Sequence, residues 1–280
     1  MKRLFVSISL LFFSTEAVSA QGTSSEREDV DKKARAAGFL KTAQRAAAGY
    51  QFYANDDLKS KLKLHQQPIL RWTNPVIGEV YGGVFVWTAN GRPEVIVSIY
   101  RFYSPYQVIG HEFQSLSLGK PIAIRDDRRV WLPARAGLEL KSVPESPTPA
   151  DSPSKRLLQM RKLAGQFSAV KRDYQQIDRK LRLLNRPLYR YQSGDPNLLD
   201  GAMFAFVHGT DPEVVLLIEA RRTKQGFVWQ YAIARLHHRR LRVFHKDKQV
   251  WEIAEILKPQ IFDSREPYWK NHFELAKGAK

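Results

Sequence analysis

The chain has 280 residues, no cysteine and a formal net charge of +17, with 45 lysines and arginines against 28 aspartates and glutamates. Without cysteine there are no disulfide staples, so the fold rests on its core alone, and a chain of this length buries roughly three quarters of the surface it exposes when unfolded. A charge this positive points to an anionic partner such as nucleic acid, acidic polysaccharide, lipopolysaccharide or phospholipid head groups, while a solvated basic surface with no dedicated partner is the plainer reading.

Met1-Lys2-Arg3, the apolar run from Leu4 to Phe13 and Val18-Ser19-Ala20 before Gln21 have the three regions of a secretory signal over residues 1–20. Cleavage there removes Lys2, Arg3 and Glu16 and leaves a charge of +16. A permanent membrane helix needs roughly 20 apolar residues, which neither this run nor any later segment supplies. The expected location is therefore periplasmic or secreted, with no transmembrane segment after signal removal.

Next, Val30, Ala34, Ala37, Leu40, Ala43, Ala47 and Tyr50 recur at helical spacing and predict an alanine-rich helix. The period then shortens to that of strands. Val84 to Trp87, the turn formers Asn90-Gly91-Arg92-Pro93 and Val95 to Tyr100 predict a hairpin. Val108 to Leu118 and Ile122 to Trp131 predict two more strands, separated by Gly119-Lys120-Pro121. Prolines 144, 147 and 149 among small polar residues predict an extended linker over 141–152. Ser152-Pro153 opens a second helix, and Phe167, Val170, Tyr174, Ile177, Leu181 and Leu184 predict that it continues as one apolar stripe. Met203 to Phe206, Gly209 to Pro212 and Val214 to Ile218 predict a second hairpin, with Phe227 to Leu236 and Leu241 to Ile253 as further strands. A tail from Pro259 carries Phe262, Tyr268, Trp269 and Phe273, which are expected to dock on the body.

An internal repeat underlies this order. Lys61 to Trp72 lies over Lys180 to Tyr191 with no gap, and five of the twelve pairs are identical. The same offset of 119 residues carries Gly82 onto Gly201, Phe85 onto Phe204 and Pro93-Glu94-Val95 onto Pro212-Glu213-Val214. A series of matches in one order argues for duplication. The predicted fold is α+β: a tandem duplication of a long helix followed by a four- or five-stranded antiparallel meander, related by a pseudo-two-fold axis. Unit 1 would span 21–140 and unit 2 153–258, with a C-terminal tail over 259–280.

Polar residues present in one copy alone are the first candidates for a site. In the first copy these are Tyr106 and His111-Glu112, where histidine and glutamate can supply a general base and its orienting group. Adjacent strand residues point to opposite faces, however, which argues against their convergence on one atom. In the second copy His238, Arg239, Arg240 and Arg242 form a cationic turn, with Arg221 and Arg222 at a neighbouring one, suited to phosphate or sulfate. The histidines lack the spacing of a helical zinc pair, so no metal site is expected. No glycine-rich phosphate loop, Gly-x-Ser-x-Gly elbow or His-Glu-x-x-His helix is present, and no cofactor is expected.

Leu70-Arg71-Trp72-Thr73-Asn74-Pro75, Gly91-Arg92-Pro93-Glu94, His111 to Leu116 and Leu199 to Phe206 resemble segments of an uncharacterised family of exported bacterial proteins of the planctomycete type. The resemblance implies a bacterial exported protein and carries no activity. The leading expectation is a non-enzymatic binding or envelope-associated protein that meets an anionic polymer or membrane surface, without specific nucleic-acid recognition. The alternative is a hydrolase of envelope or extracellular polymer centred on His111, Glu112 and Tyr106.

Overall fold

From Gly82 to Thr88 every residue is buried, although successive side chains of a strand point to opposite faces. Both faces must therefore be covered. Phe85 and Trp87 enter one apolar cluster while Val84 and Val86 enter another, and Phe204 and Phe206 part from Met203 in the same way. This requirement sets the layers of the molecule.

The computed structural model describes residues 24–105 and 107–274. Residues 1–20, read above as a secretory signal, and Tyr106 lie outside the described residues. In chain order the elements are α1 (Ser24–Ala48), β1 (Gln51–Tyr53), β2 (Lys63–Leu64), β3 (Leu70–Thr73), β4 (Glu79–Ala89), β5 (Arg92–Ser104), β6 (Val108–Ser115), β7 (Ile122–Arg125), β8 (Arg128–Trp131) and β9 (Lys141–Ser142). There follow α2 (Pro153–Ala164), β10 (Phe167–Arg172), β11 (Asp178–Leu183), β12 (Tyr189–Tyr191), β13 (Leu198–His208), β14 (Asp211–Thr223), β15 (Gly226–Arg235), β16 (Leu241–His245), β17 (Lys248–Ile253), a 3-10 turn (Gln260–Phe262) and β18 (Tyr268–Glu274). Among the described residues no helix is long and apolar enough to cross a membrane.

Two compact units divide between Ala37 and Gly38. Described residues of the first are the leading part of α1, a charged stretch of helix carrying the Glu28–Lys32 pair at 2.6 Å. All sheets belong to the second. One sheet has the order β18-β6-β5-β4-β2 with β3 also on β4, and a three-stranded sheet has the order β1-β7-β8. The largest has the order β17-β16-β10-β11-β13-β14-β15-β9 with β12 also on β13. The order β2-β4-β5-β6 thus has a counterpart in β11-β13-β14-β15, and β1-β7-β8 in β10-β16-β17.

Three cores follow. Phe39, Ala43 and Ala47, one turn apart on α1, pack with Phe52, Phe85, Trp87, Phe113 and Trp131 inside the curl of the first sheets. Met160, Leu163 and Ala164 of α2 fill the curl of the largest sheet with Phe204, Phe206, Leu216 and Trp229. Between the sheets, Trp72, Val84, Val86 and Ile96 meet Met203, Val215, Leu217 and Ala234. Each fully buried side chain of this size contributes roughly 1.5–3 kcal/mol relative to exposure.

The architecture corrects the predicted fold class. With 48% strand and 15% helix the protein is mostly β, built of large curled sheets, and it contains no tandem units of a long helix and a meander. The second helix begins as predicted, with Ser152 Oγ accepting from the Lys155 amide at 3.4 Å and Pro153 in the first turn, but it stops at Ala164. Beyond Gly165 the burial of Phe167, Ala169 and Lys171 alternates, which is strand periodicity. The apparent helical stripe arose because β10 and β11 are joined by a short turn. In that turn Asp173 Oδ1 accepts from the amides of Gln175 (2.8 Å) and Ile177 (2.9 Å). Tyr174 and Ile177, needed for the stripe, are exposed. Similarly, Ile122 to Trp131 and Leu241 to Ile253 each fold into a hairpin, because Asp126-Asp127 and Lys246-Asp247 take positive φ. The supposed linker contributes β9, and the tail contributes β18.

Gly82 lies beneath the Trp72 ring and Gly201 beneath the Tyr191 ring on paired strands, so a Cβ at either would overlap the ring. Replacing Gly201 by alanine is expected to lower unfolding free energy by about 1–3 kcal/mol in a urea titration, the usual cost of overpacking. Gly194→Ala, with nothing within 4 Å of the added carbon, should stay close to wild type.

Candidate ligand cleft

The edge of β15 is covered for a short distance. β9 pairs with it at Gln230↔Ser142 and Tyr231↔Lys141. Upstream of β9 the chain leaves that edge, because Gly137 N–H donates to Ser117 O (3.1 Å) and Ala134 N–H to Arg265 O (2.7 Å). The tail is held nearby by Ser115 N–H on Pro267 O (2.9 Å) and by Trp131 Nε1 on Glu266 O (2.8 Å). Between β15, residues 135–141, the end of β17 and the tail lies a cleft of about 470 Å³.

Its wall is apolar and aromatic, from Leu138, Tyr231, Ile233, Val250, Trp251 and Ile253. Its charges are mostly matched: Arg135 meets Glu266 at 2.7 Å, Lys141 meets Glu139 at 3.4 Å, and Glu255 pairs with Arg239 just outside. Four carboxylates (Glu139, Glu255, Asp263, Glu266) and three cations (Arg135, Lys141, Arg235) line it, and with Arg239 on Glu255 its charge is balanced on a strongly basic protein.

Arg235 and Tyr268 form its inner end. The Arg235 guanidinium donates to the carbonyls of His237 (2.8 Å), His238 (2.7 Å), Arg239 (2.8 Å) and Ala254 (3.2 Å), and lies 5.0 Å from the Tyr268 ring centre. Burial pulls its pKa down to about 10. Behind it the Tyr268 hydroxyl donates to Glu112 Oε1, and Lys270 Nζ lies 3.2 Å from the same oxygen. Burial opposes the charge on Lys270, but Glu112 with Tyr100 and Tyr268 holds its pKa well above the usual lysine value. Deeper still, Lys171 donates to Glu213, whose carboxyl is pushed up to about 7 by burial despite that partner. Glu213 Oε2 has no hydrogen-bond partner among the described residues. The nearest histidine, His237, offers it Nδ1 at 3.8 Å, but that nitrogen already accepts the Arg239 amide at 3.0 Å.

His111 and Glu112 point to opposite faces of β6. His111 Nδ1 lies 2.6 Å from the Tyr50 hydroxyl in a hydrogen bond, and Arg125 Nη1 donates to the same Tyr50 oxygen at 2.8 Å. Burial, with Arg125 second, lowers the His111 pKa to about 3. Glu112 faces the other way into the network behind the cleft. Tyr106, their third proposed partner, lies outside the described residues. The cationic set is divided too. Arg239, Arg240, Arg242 and His238 sit near one end of the β14–β15 ladder, where Val214 pairs with Arg235, while Arg221 pairs with Val228 and Arg222 with Phe227 near the other. Most are engaged: Arg239 with Glu255, Arg240 with Glu252 at 2.5 Å, Arg242 with Asp178 and Arg221 with Glu219 at 2.9 Å. Arg222 lies over the Phe227 ring at 4.5 Å, and His238 Nε2 is 3.4 Å from the Tyr174 hydroxyl.

No known family, no curated protein and no solved structure matches the chain. Among the described residues no group of histidines and carboxylates is arranged to hold a metal ion. Arg235, Tyr268, Lys270 and Lys171 carry no sequence signal as site residues, because none stands in a motif. The one available signal was Glu213, a carboxylate directly after proline inside an apolar run.

Burial keeps His111, His237 and His238 neutral, with pKa values below the ordinary histidine value, whereas Glu213 and Asp211 are raised. A depressed histidine loses stability as pH falls below its unfolded value near 6.5, while a raised carboxyl loses it as pH rises above its unfolded value near 4. Each contributes a slope of up to about 1.4 kcal/mol per pH unit, so between pH 6.5 and 4.5 these three histidines, joined by the depressed His208, His245 and His272, outweigh two carboxyls. Unfolding free energy is expected to fall as urea titrations move from pH 6.5 to 4.5. His111→Gln should reduce that slope by about 1.4 kcal/mol per unit, and an unchanged slope would contradict a buried neutral His111.

Proposed function

We propose that this is an exported, non-catalytic binding protein that takes a segment of an envelope or extracellular polymer into its cleft, while its basic exterior associates with anionic surfaces. The cleft carries the reading: an apolar aromatic wall and a polar rim surround about 470 Å³, within the size range of sites for small ligands. Binding is favoured over hydrolysis because the acid–base pair expected on β6 is split between two faces. Arg235, the cation at the inner end, spends its donors on four carbonyls rather than on the open space. The charge of +17 supports the association with anionic surfaces, which weakens with salt because the screening length is about 10 Å at 0.1 M.

Ala254 is exposed and lines the cleft, so Ala254→Trp fills it without emptying a core. Three probes serve: a chitin tetrasaccharide, an eight-residue peptide alternating lysine and valine, and a heparin tetrasaccharide. A saturable shift of the Trp251 indole NMR signal is expected with the chitin or the peptide probe in wild type, and its loss in Ala254→Trp at equal stability. No shift with any probe would overturn the cleft as the binding site. Heparin should instead be held by the exterior equally well in both proteins, with retention falling steeply as salt is raised.

A further inference from the structure

The partner in the cleft is legible from the backbone of β15. Leu236 N–H donates to Glu213 O at 2.8 Å, which assigns the even-numbered residues of β15 to the ladder with β14 and turns the odd-numbered ones outward. Val143 N–H accordingly reaches Trp229 O at 2.9 Å, and Lys141 pairs with Tyr231. The next two outward positions are Ile233 and Arg235. Both are buried and line the cleft, and among the described residues no strand pairs with their outward N–H and C=O groups. Buried backbone donors and acceptors are almost always partnered.

We propose that the cleft is a strand-addition site: an extended, cationic peptide segment enters between β15 and residues 135–140 and continues the β9 ladder onto Ile233 and Arg235. This rests on the cleft being the binding site and adds its ligand class and geometry. Three observations select this occupant. A polypeptide carries donors and acceptors at the strand repeat that Ile233 and Arg235 present, which a saccharide does not. The chain itself already uses the same edge one pair further along, at Tyr231. The lining carries no excess of cations although the protein is +17, because its arginines and lysine are held by Glu266, Glu139 and backbone carbonyls, and Asp263 stands outside any ion pair among the described residues, where a lysine or arginine side chain of the segment can meet it. Alternate side chains of the segment then face the Leu138 and Trp251 walls.

The test uses the full exported protein, isotope-labelled, with the capped eight-residue lysine–valine peptide. Its controls are the same peptide N-methylated at every second amide in both registers, and a glutamate–valine peptide. The expected result is slowed hydrogen exchange at the Ile233 and Arg235 amides on saturation, with affinity at least tenfold weaker for the N-methylated and glutamate peptides. If the N-methylated peptides shift the Trp251 signal with unchanged affinity, strand addition is overturned and the cleft reading stands. If the chitin probe shifts Trp251 and the peptide does not, the ligand class is overturned. Equal binding of the glutamate peptide overturns the charge selection, and silence at Trp251 with every probe removes both readings.

Discussion

Two sheets packed face to face exclude water from their junction, and the charge that must survive there is Arg92. It ends the β4–β5 hairpin, is 7% exposed, and meets the fully buried Glu219 of β14 through Nε at 2.9 Å. Nη1 reaches Glu94 at 2.9 Å and the Leu116 carbonyl at 3.0 Å. Glu219 also accepts from the Tyr191 hydroxyl at 2.6 Å and from Arg221 at 2.9 Å. Burial opposes the guanidinium charge, but the carboxylates hold its pKa above the ordinary arginine value. Stranding either charge costs several kcal/mol in such surroundings. The cluster joins residues 127 positions apart and so fixes how the halves of the β body register. Val84, Val86, Val215 and Leu217 can then be apolar toward each other without exception.

At the 119-residue offset the arrangement is not repeated. Asp211 stands where Arg92 does, and Tyr100 where Glu219 does. Glu94 has Glu213 as its counterpart, yet no arginine of the hairpin faces Glu213. Its cation comes instead from Lys171 of β10, and the neighbouring Glu112 takes Lys270 and Tyr268 from β18. Acidic groups therefore crowd the second junction, which is why burial and mutual repulsion raise both Asp211 and Glu213. The tail strand is an electrostatic component of this junction and not a decoration of the surface.

What was legible in the sequence follows from how local each signal is. The hairpins at Asn90-Gly91 and Gly209-Thr210 are legible because turn chemistry and flanking branched residues sit within a dozen positions. The start of α2 was read from Ser152-Pro153 for the same reason. The continuation of α2 failed where spacings of three and four can arise from two short strands and a turn as readily as from one helix. Phe167, Ala169 and Lys171 show period two, but the lysine in the series concealed it, since its burial depends on Glu213, 42 residues away. The cleft was beyond reach for a related reason: its wall gathers residues from 114 to 268, and the groups that define it are backbone atoms of Ile233 and Arg235. Glu112 was singled out for its neighbour His111, yet its actual partners come from the tail.

The cleft and the second junction share a cause. Lys270 must reach Glu112, so β18 runs along β6 from Tyr268↔Gln114 onward and covers the edge of the first sheet completely. That placement brings Asp263, Glu266 and Tyr268 beside residues 135–141, where Arg135 and the Ala134 amide bind the tail and draw this segment off β15. The same chain cannot pair with β15 at Ile233 while its Gly137 amide serves Ser117. One edge is therefore closed by the tail, and the described residues leave the corresponding edge of the largest sheet open for two positions. An open edge at this point follows from satisfying a buried carboxylate elsewhere, and its buried location shields it from the chance edge-to-edge pairing that exposed strands invite.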